Sequence, residues 1–409
     1  MNPSSFAQKF TGDAAIVDLM EDLGDALNVN PDLLFLGGGN PAHIPEFEAR
    51  IGEHLKAICD QPAELHKLIG IYQSPQGNEA FIDALASYLQ QRYQWPVTTA
   101  NIAVANGSQS AFFILLNLLA AQGQICLPMM PEYLGYRDQG LGDNIFKGYR
   151  PRIELIGEHR FKYHIDFAAL EITSDTAALC VSRPTNPSGN VVSDDEMRQL
   201  QAIAREHNIP LIVDCAYGFP FPGVVYQEAE SFWDDNTILM LSLSKLGLPG
   251  VRTGIVVAPE AVIKKFVSAN TIISLACGNL GPMLMNSLMA ANELDSICET
   301  VIQPYYRAKQ AYMLEQIDRH LAGLNYRVHE SEGAFFVWIW FPDLPVSSEQ
   351  LYQRMKEANV LIMAGEHFFF GMDENWDHAH QCIRLNFCQA PEVISDALQI
   401  LAREVRALG

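Results

Sequence analysis

Asn236-Thr-Ile-Leu-Met-Leu-Ser-Leu-Ser-Lys-Leu-Gly-Leu-Pro-Gly-Val-Arg-Thr-Gly254 is the stretch that decides the fold of this chain. It opens as an apolar run of strand length, Thr237 to Leu243, and reaches a serine-flanked lysine, Lys245. A turn built from Gly247, Pro249 and Gly250 follows, and then a single arginine, Arg252. Burial disfavours the charged form of lysine, so an amine at the end of a buried strand becomes a usable nucleophile near neutral pH. A neutral lysine held by serines suits an imine with a carbonyl cofactor. Taken alone, the same lysine also reads as an ordinary strand exit pointing to water. The rest of the chain must decide between the two.

Working outward, the 409 residues are long for one compact core and predict two lobes. Apolar residues make up 49% and charged residues 18%, which favours a well-filled core over disorder. The net charge of −21, from 48 acidic and 27 basic side chains, disfavours nucleic acid and anionic membrane surfaces as partners. No uninterrupted apolar window reaches membrane-spanning length, and Met1 to Asp13 lacks a basic-then-apolar leader pattern. The eight cysteines are scattered singly, with no Cys-x-x-Cys pair of metal or redox spacing. A reduced, cytoplasmic setting is expected, and no metal site.

From Asn101 onward the pattern alternates strand and helix. Ile102 to Ala105 reads as a strand, Gly107-Ser108-Gln109-Ser110 as a turn, and Ala111 to Ala121 as an apolar helix. Free N–H groups, the helix dipole and the hydroxyls there converge into an anion site, although a plain N-cap explains one serine equally well. Tyr133 and Tyr136 follow the strand Gln124–Leu127; either a flat ligand ring or core packing would account for them. Further strands are expected at 177–182, at 209–213 ending in Asp214, and at 255–258. A Ser193/Glu196 capping box opens the helix that runs to His207. A carboxylate at the C-terminal end of a buried strand is where open α/β sheets place ligand groups. Before this block lie a helical pattern over 13–28, a glycine run Gly37-Gly38-Gly39, a helix over 46–68 broken at Pro62, and a helix over 78–93. After it come helices over 283–323, strands near 334–341, 360–363 and 382–387, and helices over 347–357 and 391–407.

Together the chain offers an imine-capable lysine, a strand-end carboxylate 31 residues before it, an anion-binding strand–turn–helix and a tyrosine near the cleft. Pyridoxal 5′-phosphate asks for this set: an imine lysine, an acid for the pyridinium nitrogen and a phosphate cup. On these residues the chain resembles the fold-type I, class I/II aminotransferases over almost its whole length. The resemblance is carried by Tyr72 with Gly77, Asn106-Gly-Ser-Gln109, Pro131-Glu-Tyr133, Asn186-Pro-Ser-Gly189, Asp214 with Tyr217, Ser242-Leu-Ser-Lys245, Pro249-Gly-Val-Arg252 with Gly254, and Arg384-Leu-Asn-Phe387. The runs Leu36–Ala42, Asn106–Phe113 and Ser242–Gly250 are similar to members that move an amino group between an aliphatic amino acid and pyruvate.

The resemblance implies a large domain with a mostly parallel seven-stranded sheet flanked by helices, plus a smaller α+β domain. Boundaries are expected at 1–45 for an N-terminal arm and part of the small domain, 46–290 for the large domain and 291–409 for the small one. It implies pyridoxal 5′-phosphate on Lys245, which also shuttles the proton, with Asp214 on the ring nitrogen and Asn186 and Tyr217 on the 3-oxygen. Tyr133 would stack on the ring, and Ser108, Gln109, Ser242 and Arg252 would hold the phosphate. Tyr72 would reach in from the second subunit of a homodimer. Arg384 would clamp the carboxylate of the amino-acid and 2-oxo-acid substrates, with the Gly39 backbone beside it. Two features depart from the family pattern: Lys245 and Arg252 are seven positions apart where many relatives have eight, and Ser188 stands where threonine is commoner. Rival readings keep the cofactor for another donor, aromatic or aminoadipate-type, or for β-elimination. A cofactor-binding gene regulator is disfavoured by the short lead of about 40 residues before the glycine run and by the acidic charge.

Overall fold

A computed structural model describes residues 5–10, 14, 16–17, 20–21, 24, 32–121, 123–372 and 375–408. Of the helix expected over 13–28, Leu19, Leu23 and Leu27 lie outside the described residues. The central element is a seven-stranded sheet. In spatial order its strands are Ile102–Ala105, Gly254–Val257, Thr237–Ser242, Leu211–Asp214, Thr176–Ser182, Gln124–Leu127 and Phe146–Gly148. Gly254–Val257 runs antiparallel to both neighbours, and the other adjacent pairs are parallel. Both faces are covered by helices, so Ile102–Ala105, Thr237–Ser242 and Gly254–Val257 are buried along their whole length. That explains why they read as apolar runs rather than alternating ones. This is the mostly parallel α/β sheet that the resemblance implied.

The register puts Ala105, Gly254, Ser242, Asp214 and Ser182 along one edge of this sheet. The turns that follow these strands therefore converge above a single line, the ligand-binding edge of an open α/β sheet. The capping box forms as expected: the Ser193 hydroxyl accepts from the Glu196 N–H at 3.3 Å, and the Glu196 carboxylate accepts from the Ser193 N–H at 2.9 Å. Such a cap stabilises its helix by about 1 kcal/mol. The helix expected over 46–68 is two, Pro45–Cys59 and Pro62–Gly70, each with proline in its first turn.

A second sheet of six strands carries the C-terminal part, in the order Met363–Ala364, Cys382–Asn386, Phe336–Trp340, Arg327–His329, Arg160–His164 and Arg152–Ile156. Its last two strands form a hairpin that lies inside 46–290 in sequence yet pairs with the C-terminal strand Arg327–His329. The outer strand is mostly exposed. A short parallel pair, Leu34–Phe35 with Val360–Leu361, fastens the start of the glycine run to the C-terminal part. Gly37 is needed there: a Cβ would lie 2.6 Å from the Ile362 carbonyl oxygen.

Candidate active site

A cavity of about 540 Å³ opens over the sheet edge. Of the residues singled out from sequence, Gly39, Ser108, Gln109, Tyr133, Asn186, Asp214, Tyr217, Lys245, Arg252 and Arg384 line it. Among the described residues, the cationic side chains that reach it are Lys245, Arg252 and Arg384.

Lys245 follows the buried strand Thr237–Ser242, and its Nζ donates to the Gly39 carbonyl at 2.7 Å. The ammonium lies 5.5 Å from the Tyr217 ring centre and 5.7 Å from that of Phe335. Burial, aided by the charge of Arg384, pulls its pKa down to about 8. The amine is therefore far nearer its neutral, nucleophilic form than a solvated lysine would be. Asp214 ends its strand with Oδ1 accepting the Ala216 N–H at 2.9 Å and Oδ2 accepting the Tyr136 hydroxyl. Burial pushes this carboxyl above the usual range, and the tyrosine O–H works against that shift.

The helix starts at Ser108, three residues earlier than expected, because Gly107 at φ +96° supplies its N-cap. Ser108, Gln109 and Ser110 thus occupy the first helical turn, whose free N–H groups and positive dipole end face the cavity. A Cβ on Gly107 would come within 2.3 Å of an Arg252 guanidinium nitrogen, so glycine makes room for the arginine. Arg252 itself sits in the left-handed region at φ +46°, after the short turn Pro249–Val251. That backbone turns the guanidinium back to within 3.4 Å of the Ser244 hydroxyl. The seven-residue spacing from Lys245 therefore still brings Arg252 to the cavity.

Arg384 is the most buried cation of the site, 1% exposed. It lies between the rings of Phe336 and Phe368, at 4.2 and 5.2 Å from their centres. One terminal nitrogen donates to Asn186 Oδ1 at 2.8 Å and the other to the Gly37 carbonyl. Its Nε and the Tyr217 hydroxyl are buried polar atoms with no partner among the described residues. Burial lowers the arginine pKa to about 10, so it stays charged at neutral pH. Asn386 on the same strand donates to the Gly38 carbonyl at 2.8 Å. Three successive carbonyls, of Gly37, Gly38 and Gly39, are thus each held by a side chain of the site.

One expected residue is placed differently. Ser242 is buried and is not part of the cavity wall, its hydroxyl accepting the Ser244 N–H at 3.2 Å. Ser244 faces the cavity in its stead, because the chain leaves the strand at Leu243 and side-chain alternation ends with it. Tyr72 is 82% exposed and outside the cavity of its own chain. Ile69, Ile71, Ile272, Ile273 and Leu275 are exposed as well. The two segments are tied together where Asn279 donates to the Lys67 carbonyl at 2.9 Å and accepts from Asn78 at 2.8 Å. Arg183, another buried arginine, spends its donors on the Val192 and Glu230 carbonyls and on Asp194. Sequence reading missed the walls supplied by Ile16 and Met20, seen there only as apolar positions of a helical pattern, and the role of Tyr136 as partner of Asp214.

Residues 36–401 match the family described as aminotransferase class I and II. The chain belongs to this family of enzymes, which move amino groups between amino acids and 2-oxo acids. It is 45% identical over 411 residues to the valine–pyruvate aminotransferase of Escherichia coli (strain K12), covering 99% of this chain and 98% of that protein. Among solved structures it is similar to a putative amino-acid aminotransferase from Psychrobacter arcticum 273-4, with a TM-score of 0.96 and 39% identity over 100% of this chain and 99% of that one. It is also similar to a valine–pyruvate aminotransferase from Salmonella typhimurium LT2, with a TM-score of 0.90 and 43% identity over 96% and 99% of the two chains. Among the described residues no helix is long and apolar enough to cross a membrane.

Proposed function

We propose that this enzyme transfers the amino group between valine, or a similar aliphatic amino acid, and pyruvate, giving 3-methyl-2-oxobutanoate and alanine. The reading includes pyridoxal 5′-phosphate as cofactor, a homodimer as the working form and the cytoplasm as its place. The observation that carries it is Arg384: a buried guanidinium against two aromatic rings, with one N–H unused among the described residues, at a cavity that also holds a lysine whose pKa is lowered to about 8. A buried unused donor on a cation calls for an anionic ligand. Amino donor and keto acceptor share one such anion, the carboxylate next to the reacting carbon.

The residues present fit the cofactor. The unpartnered Tyr217 hydroxyl and the Asn186 amide suit a phenolic 3-oxygen, and Asp214 suits a protonated ring nitrogen. The Ser108–Gln109 helix start, Ser244 and Arg252 suit a phosphate dianion, while Ser242 backs this cup through Ser244. Tyr133 would cover one ring face. When bound, pyridoxal phosphate supplies an electron sink for the bond broken at the substrate Cα. Lys245 would hold the cofactor, and its Nζ would move the proton at the substrate Cα. Arg384 and the Gly39 backbone orient the carboxylate, which fixes the Cα–H towards Lys245.

Ile16 and Met20 supply an apolar wall, and the three cations already have partners in this scheme. An aliphatic side chain fits such a wall, whereas a second carboxylate finds no cation. The exposure of Tyr72 and Ile272, 82% and 87%, supports a dimer in which Tyr72 reaches the neighbouring site. The test is a panel of amino-acid donors with pyruvate, following alanine formation, together with borohydride trapping of the cofactor. Valine turnover and a pyridoxyl adduct on Lys245 are expected. An adduct on another lysine, or a preference for acidic donors, would overturn the reading.

A further inference from the structure

We propose that Tyr136 is a positioning residue for Asp214, whose hydroxyl keeps that carboxylate ionised and aimed at the cofactor's ring nitrogen. The inference rests on the reading of the cavity as a pyridoxal-phosphate site. Asp214 has two protein donors, the Ala216 N–H on one oxygen and the Tyr136 hydroxyl on the other. Tyr136 has little freedom to do anything else. It is 2% exposed, its ring is stacked on Phe112 at 3.8 Å and 19°, and Tyr133 meets it edge-on at 5.3 Å and 90°. The ring is thus clamped so that its O–H lands on the carboxylate, 78 residues further along the chain.

The surroundings make this donor count. Burial favours the protonated form of Asp214, and the Tyr136 hydrogen bond is the largest effect opposing it, ahead of the Ala216 N–H and the charge of Lys245. The other acidic groups near Asp214 lean to their neutral forms, while the cations of the same cavity are Lys245, Arg252 and Arg384. Glu132, whose carboxyl accepts the Ser182 N–H at 2.9 Å and the Ser182 hydroxyl, is pushed by burial up to about 8. Burial also raises the thiols of Cys180 and Cys215 and the phenols of Tyr133 and Tyr217. Without the Tyr136 hydroxyl, Asp214 would keep one donor in a buried setting and would take up a proton more readily. A neutral acid no longer stabilises a positive ring nitrogen, and the ring withdraws electrons less.

Tyr136→Phe removes the hydroxyl and keeps the stacked ring, so the fold is preserved. Wild type and variant are loaded with pyridoxal phosphate labelled with ¹⁵N in the ring, and the nitrogen chemical shift is followed from mildly acidic to mildly alkaline pH. The wild type is expected to hold a protonated ring nitrogen throughout, and the variant to lose that proton within the range. Valine turnover should fall roughly ten- to a hundredfold, the scale of one lost hydrogen bond to a charged group, with KM for valine nearly unchanged. Phe112→Leu, which loosens the stack but keeps the hydroxyl, should change the nitrogen profile less than Tyr136→Phe does. A Tyr136→Phe profile identical to wild type, or an equal or larger shift in Phe112→Leu, would overturn the proposal and leave Tyr136 as packing. A wild-type protein that takes up no cofactor on Lys245 would overturn the site reading itself, and this proposal with it.

Discussion

Replacing Arg384 by lysine keeps one positive charge and removes the planar fork. The size of the effect follows from what the guanidinium does. Its two terminal nitrogens are committed to Asn186 and to the Gly37 carbonyl, its Nε is unused, and its faces lie 4.2 and 5.2 Å from the Phe336 and Phe368 ring centres. A lysine can satisfy one of these partners or the ligand, not all. The loss of one hydrogen bond to a charged group costs about 1.5–3 kcal/mol, and the loss of ring stacking about 0.5–1 kcal/mol more. Together these are about 2–4 kcal/mol, or roughly 30- to 1,000-fold in kcat/KM. The carboxylate is common to donor and acceptor, so single-turnover kinetics should show both half-reactions falling by a similar factor, with the cofactor absorbance unchanged. A thermal melt of the loaded variant separates this from loss of fold. Arg183 is in no position to compensate, its donors being tied to Val192, Glu230 and Asp194. Wild-type efficiency with both substrates, or a loss confined to valine, would refute the assignment of Arg384 to the shared carboxylate.

Three further outcomes are expected. The Lys245 pKa of about 8 lies below that of an unfolded lysine, so cofactor capture by the cofactor-free protein should rise with pH around a midpoint near 8. Holding that charge costs stability below the midpoint, and the cost disappears as pH rises from there to the ordinary lysine range; a capture midpoint in that ordinary range would contradict the buried setting. Met20→Ala opens the apolar wall and should lower valine efficiency about fivefold, roughly 1 kcal/mol for a partly exposed contact, while pyruvate efficiency holds; an equal fall for both would remove Met20 from the side-chain subsite. Ile273→Glu places a charge at an exposed apolar position and should shift the protein to monomers in sedimentation, with activity falling alongside; a fully active monomer would dismiss the shared site.

The large sheet was legible because its strands are buried on both faces, which leaves runs such as Thr237–Ser242 as continuous apolar segments ended by turn residues. Lys245, Asp214 and Arg384 were legible for a related reason: each is a charged residue at the end of, or within, such a run. Residues that act through neighbours distant in sequence were not. The Tyr136 hydroxyl finds its partner 78 residues away, and nothing near Tyr136 announces it. Ser244 replaces Ser242 on the cavity wall because the chain turns at Leu243, a change of direction that residue types alone do not reveal. The hairpin Arg152–His164 escaped because its outer strand is mostly exposed and its partner strand lies far down the chain.

The contacts that assemble the site close loops of very different length. Arg252 meets Ser244 across 8 positions, Lys245 meets Gly39 across 206, and Arg384 meets Gly37 across 347. The antiparallel pairing of Thr237–Ser242 with Gly254–Val257 is what makes the first of these local. By loop length alone, closing the longest costs about 3 kcal/mol more than closing the shortest. Folding is therefore expected to build the lysine–arginine loop early and the carboxylate clamp last, once the C-terminal sheet has docked. A late folding intermediate would then recognise phosphate before it can tell one amino acid from another. Pulsed hydrogen exchange should accordingly protect the amides of 239–257 before those of 36–38 and 382–386; the reverse order would exclude this sequence of assembly.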